Sequence, residues 1–219
     1  KRRRQQFYNS LSANEMRMTS DHPMEIILAS ASQSRAALLA GAGIDVVIEP
    51  ADIDESSVKD EGLRTQASVD AVAALLARQK AQKISEIHPN ALVIGADQML
   101  DCGGRWLDKP DSLTTAGNTL RLLRGKSHDL VTSVSVAHKG TEIWALTDRA
   151  QLLMRAFSDD FLDTYLSNVG DDVMLSVGAY QLEGLGAQLF ERIDGDYFTI
   201  LGLPLLPLLG FLRDRNVIG

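Results

Sequence analysis

The stretch "ALVIGADQML", residues 91–100, limits the fold more than any other segment. Its apolar run is continuous rather than alternating, so it reads as a fully buried strand, and such strands need cover on both faces of their sheet. The run ends in Asp97 and Gln98. A carboxylate there lies where open α/β sheets place their ligand crevices, outside the carboxyl ends of strands.

The flanking segments fit the same layered plan. Residues 25–29 read as a buried strand, and 32–42 as a helix whose Leu38 and Leu39 face inward before a stop at Gly41 and Gly43. A short strand at 46–48 leads into "PADIDESSVKDEGLRTQ", which reads as a polar functional loop. Helical spacing of Val69, Val72, Ala73 and Leu76 predicts a helix over 69–84 that closes with Lys80 and Lys83. Beyond the central strand come a hairpin turn at "DCGGRW", a helix at 113–123, and strands at 129–137 and 142–146 around Lys139 and Gly140. A helix at 160–168, short strands in a glycine-rich bed and a final helix at 205–213 complete the chain. Strands alternating with helices make this an α/β protein.

A chain of 219 residues suits one such domain, expected over 24–219. The preceding segment 1–23, "KRRRQQFYNSLSANEMRMTSDHP", has no apolar stretch after its arginines, so a secretory signal does not fit; a disordered extension or tag is expected. A net charge of −7 argues against binding duplex nucleic acid, which needs a cationic face. The lone Cys102 excludes an intrachain disulfide, and four histidines without an H-E-x-x-H pattern offer no soft metal site. A hard cation on oxygen ligands stays open. The longest apolar run, "TILGLPLLPLLGFL", is too short for a membrane span and is broken by Pro204 and Pro207. A soluble cytoplasmic protein is the expectation.

Three familiar signatures fail on counting. "RGKS" would be the tail of a P-loop only with glycine at position 120, where Leu120 stands. "GAG" at Gly41 to Gly43 ends a helix instead of opening one, and no G-x-S-x-G elbow occurs. What remains is a hydroxyl-rich turn, Ser30, Ser32 and Ser34 beside Arg35, and a set of charges at segment ends. Hydroxyls, helix amides and an arginine all donate to phosphate oxygens, although a plain helix cap would use the same serines. If the acidic loop folds over Asp97, one of Asp54 and Glu55 could join it in holding Mg²⁺ and an attacking water. Arg35, Lys80 and Lys109 could then bind an anionic substrate. Cations and carboxylates around such turns suit phosphate-ester chemistry.

Taken in order, "LASASQSRAALL", "IDES", "ARQKA", "GADQ", "DKP", "SVGAYQLEGLGAQLFERIDG" and "GLPL" resemble the motifs of the Maf family of nucleoside triphosphate pyrophosphatases, from Ile26 to Leu212. The resemblance implies a mixed twisted sheet forming two lobes around a central cleft, of the Maf and ITPase type. It implies hydrolysis of a nucleoside triphosphate to the monophosphate and pyrophosphate, with a water nucleophile, a divalent cation (Mg²⁺, Mn²⁺ or Co²⁺) and a homodimer. By motif, Asp97 is the general base or metal-handling carboxylate, and Glu55 supports the metal or the water. Lys80 and Lys109 neutralise phosphates, and Ser30, Ser32 and Arg35 form the phosphate cradle.

The first motif departs from the "SPRR" of many members, so one cationic donor is missing at Ser34. "ADQ" with Gln98 and "LEG" with Glu183 look closer to the branch associated with 7-methyl-GTP than to the dTTP/UTP branch with "ADT" and "IQG". A carboxylate at 183 can accept hydrogen bonds from N1–H and the 2-amino group of guanine; pairing with Arg192 on the rim is its plainer use. The family's link to septum formation and cell-division arrest adds a contrasting expectation, a nucleotide sensor that binds without turnover. A phosphatase releasing orthophosphate would use the same charges.

Overall fold

A computed structural model describes residues 24–219; the extension expected at 1–23 lies outside the described residues. Strand β1 (Ile26–Leu28) turns into helix α1 (Gln33–Gly41), whose N-terminus is capped by the Ser32 hydroxyl accepting from the Arg35 N–H. After β2 (Val47–Ile48) come α2 (Glu55–Thr65), α3 (Val69–Ile87), the long β3 (Leu92–Cys102) and β4 (Arg105–Leu107). Then follow α4 (Leu113–Leu123), β5 (Ser127–His138), β6 (Thr141–Met154) and α5 (Asp159–Val169). Three short 3₁₀ turns lead to β7 (Phe190–Asp194), α6 (Tyr197–Ile200) and α7 (Leu205–Asp214).

The strands form one mixed sheet in the order β2-β1-β3-β5-β6-β7, with β4 also paired to β3. The crossover through α1 makes β1 and β2 parallel, and the helices before β3 make it parallel to β1. All later pairs are antiparallel. Two tight hairpins set their register: Gly103 and Gly104 join β3 to β4, and Lys139 and Gly140 join β5 to β6, each with both central residues at positive φ.

Strand β3 is the spine, and its period of two divides the molecule. On one face α3 lies across the sheet, packing Val69, Val72 and Leu76 on Met99 and Val131, and Ile84 on Ile27 and Val93. Its approach is closest at Gly95, where a Cβ atom would stand 2.3 Å from the Ala77 carbonyl oxygen and 2.6 Å from the Ala81 nitrogen. On the opposite face two apolar bodies sit side by side. Residues of α1 and α7 pack on Ile94 and Ala96, while α4, α5 and the 3₁₀ turns pack on Leu100 and Leu130. Gln98 falls between them, so the two-lobed mixed sheet expected of this sequence is what forms.

Three expectations are corrected. The polar stretch at 50–66 is not an open loop, because α2 occupies most of it, started by Asp54 accepting from the Ser57 N–H at 3.0 Å. A helix with so few apolar residues has little periodic signal. Strand β6 runs on to Met154, eight residues past its expected end at 146, because β5 pairs with it as far as Leu153 and its last four residues, 151–154, pair with β7. The glycine-rich bed holds one strand, β7; the rest is 3₁₀ turns at Gly170–Leu175, Val177–Ala179 and Leu185–Leu189. Among the described residues no helix is long and apolar enough to cross a membrane.

Candidate functional site

A cleft of ≈ 460 Å³ opens between the lobes, at the carboxyl end of β1 and the middle of β3. Of the site residues singled out from the sequence, these line it: Ser30, Ser32 and Arg35 from the β1–α1 turn, Glu55 from α2, Lys80 from α3, Asp97 and Gln98 from β3, and Lys109 and Glu183 from loops. Asp54 does not, since its carboxylate is spent on capping α2. Of the two carboxylates, Asp54 and Glu55, it is Glu55 that faces the cleft.

The β1–α1 turn serves both uses proposed for it. Ser32 caps the helix, while the Ser30 hydroxyl accepts from Arg35 Nη1 at 2.8 Å and from the Ser32 N–H at 3.3 Å. Arg35 is buried, and it also donates through Nε to the Gly202 carbonyl at 2.7 Å and through Nη1 to the Ala96 carbonyl at 3.0 Å. The guanidinium therefore ties α1, β3 and the α6–α7 turn together at the cleft wall. Burial pulls it below its ordinary value against the charges of Asp97 and Glu55, and arginine remains cationic regardless.

At the floor, Lys80 Nζ lies 2.7 Å from Glu55 Oε1 and 2.7 Å from Asp97 Oδ1. Lys80 was expected to neutralise phosphates; here its ammonium is shared by two carboxylates, because a buried amine must be paired. The close packing of α3 on Gly95 is what brings Lys80 over Asp97. Burial by itself would raise the Glu55 carboxyl, but the hydrogen bond and charge of Lys80, with help from Lys59 and Arg35, hold it below the usual range. Burial and the nearby charge of Arg35 lower Lys109, against support from Glu55 and Asp97.

Among the described residues, buried Asp97 Oδ2 has no hydrogen-bond partner. An orphaned carboxylate oxygen calls for a cation, a water or a hydroxyl. Among the described residues no cluster of three or more His, Cys, Asp or Glu could hold a metal by itself. Two carboxylates with a free oxygen do suit a Mg²⁺-like ion, which keeps waters and takes its remaining ligands from substrate phosphates.

Gln98 points to the opposite face of β3 from Asp97, and its amide donates to the Thr132 hydroxyl and to the Thr199 and Ile200 carbonyls at 2.9 to 3.0 Å. Those bonds fix the α6 segment, so Gln98 shapes the wall. Glu183 is exposed at the mouth.

Sequence reading missed three lining residues. Lys59 pairs with Asp108 at 2.5 Å, and the signal was present, since Lys59 follows Glu55 by one helical turn and Asp108 opens "DKP". Tyr180 is buried on the wall with its hydroxyl 2.7 Å from His128 Nε2. No local pattern links residues 52 apart.

Residues 25–215 match the model of a family described as Maf-like protein. A nucleoside triphosphate pyrophosphatase of Granulibacter bethesdensis is 49% identical over 89% of this chain and 99% of that one. A protein of the same name from Paramagnetospirillum magneticum is 50% identical over 87% of this chain and 98% of its own. A 7-methyl-GTP pyrophosphatase of Rhizobium etli is 45% identical over 89% of this chain and 98% of its own.

Proposed function

The chain belongs to the Maf-like protein family, and on that premise we propose that it is a hydrolase converting a nucleoside triphosphate and water into the monophosphate and pyrophosphate. The observation that carries the reading is the unpartnered Asp97 Oδ2, buried at the floor of a cleft walled by Arg35, Lys59, Lys80 and Lys109. That oxygen takes a proton from a water as the water attacks the phosphate chain; the α–β phosphoanhydride breaks, and pyrophosphate leaves with the bonding electrons.

Lys80 bridges Asp97 and Glu55 and holds the two carboxylates side by side. Ser30, Ser32 and Arg35 form the phosphate cradle, and Lys109 faces the charge that develops on the leaving group. Asp97 and Glu55 are the residues that would hold a divalent cation, which supplies further charge neutralisation when bound. Glu183 at the mouth reads the base, and its carboxylate suits the donor edge of a guanine, in keeping with the relative named for 7-methyl-GTP.

The test is pyrophosphate release from a panel of 7-methyl-GTP, UTP, dTTP, CTP and 5-methyl-UTP with Mg²⁺, Mn²⁺ or Co²⁺. Release from at least one is expected, with 7-methyl-GTP preferred. A pyrimidine preference would remove Glu183 as a guanine reader, and no release from any would overturn the enzyme reading.

A further inference from the structure

We propose that Lys59 is a further phosphate-binding cation of the cleft and that Asp108 is its removable counterion, displaced when the triphosphate enters. The inference rests on the pyrophosphatase reading and adds to it a residue outside the recognised motifs.

Two of the cleft cations are partly or wholly committed. Arg35 spends Nε and Nη1 on Gly202, Ala96 and Ser30, which leaves Nη2 for the phosphate cradle, and Lys80 lies between Glu55 and Asp97. A triphosphate carries several negative charges, so Lys109 with one face of Arg35 is a poor match for it. Lys59 stands on the same face of α2 as Glu55, one turn along, and both line the cleft. Among the described residues its one ion-pair partner is Asp108, on the turn after β4.

The pair is lopsided in exposure: the Lys59 side chain is 23% exposed and that of Asp108 72%. The ammonium thus sits in the cleft while the carboxylate stands largely in water. Exposed pairs of this kind hold weakly. A phosphate chain offers more charge and more acceptor oxygens than one carboxylate, so exchange favours the substrate. Asp108 also precedes Lys109, and its release leaves the turn that carries Lys109 free to follow the phosphates.

A bridge kept only for stability and a guarded binding residue differ in sign. The measurement is the affinity for inorganic pyrophosphate with Mg²⁺, by calorimetry, for the unaltered protein, Lys59→Met, Asp108→Asn and the double variant. Lys59→Met is expected to weaken binding about tenfold, Asp108→Asn to tighten it about threefold, and the double variant to match Lys59→Met. KM for the preferred triphosphate should follow the same order, with kcat within about twofold. If Asp108→Asn weakens binding as Lys59→Met does, or Lys59→Met changes nothing, the inference is wrong. Pyrophosphate affinity needs no turnover, so a failed hydrolysis assay of the unaltered protein would count against the reaction and leave Lys59 to be judged separately.

Discussion

At the scale of single residues, Asp97 and Lys80 depend on each other. Removing the charge of Asp97 in Asp97→Asn leaves Lys80 paired with Glu55, so the buried amine keeps a partner and the fold should survive. If Asp97 is the proton acceptor as proposed, its loss lowers kcat by about 10²- to 10⁴-fold with an unchanged melting profile. His128 supplies a different prediction. It packs beside the rings of Tyr180 and Phe190, bonded to the Tyr180 hydroxyl, and burial pulls it from 6.5 down to about 4, against the weaker pull of Asp129. Its folded value is below the unfolded one, so the unfolded chain binds the proton more readily between those limits. Stability should fall as pH drops from about 6.5 towards 4, by an order of 3 kcal/mol from this residue. Urea titrations across that range should show the slope, and His128→Gln should flatten it; an unchanged slope would show that the histidine titrates normally.

At the scale of elements, α3 does most to assemble the site. Its apolar face packs on β3 and β5, and its contact at Gly95 sets how far Lys80 reaches. Gly95→Ala puts a methyl group against backbone atoms that cannot rotate away, and is expected to cost about 1–3 kcal/mol. Activity should fall with it, since Lys80 rides on the displaced helix; a urea midpoint equal to that of the unaltered protein would refute the close approach as a constraint. The strongly patterned elements α3, α4 and β3 were legible in the sequence because burial imposes helical spacing on the first two and a continuous apolar run on the third. Helix α2 was not, since its start depends on one Asp54 cap and its body is polar. The 3₁₀ turns before β7 escaped for a related reason: their packing partners, such as Leu100 for Gly178, lie far along the chain.

At the scale of the molecule, the cleft is a consequence of β3 crossing from one apolar body to the other, with Ala96 in the first and Leu100 in the second. Charged residues at segment ends converge there, which is why reading ends of apolar runs found Asp97, Lys80 and Arg35. Such reading gave residue types and left the pairing open: that Lys80 joins two carboxylates, or that Lys59 holds Asp108, follows only from how α2 and α3 lie over the sheet. In the reaction proposed above, this convergence performs one hydrolysis at one phosphoanhydride bond. Phosphorus NMR of the products from 7-methyl-GTP with Mg²⁺ tests it most directly, with the unaltered protein and Asp97→Asn side by side at equal folded content. Equal amounts of monophosphate and pyrophosphate from the first, and neither from the second, are expected. Diphosphate with orthophosphate, or full turnover by Asp97→Asn, would contradict it.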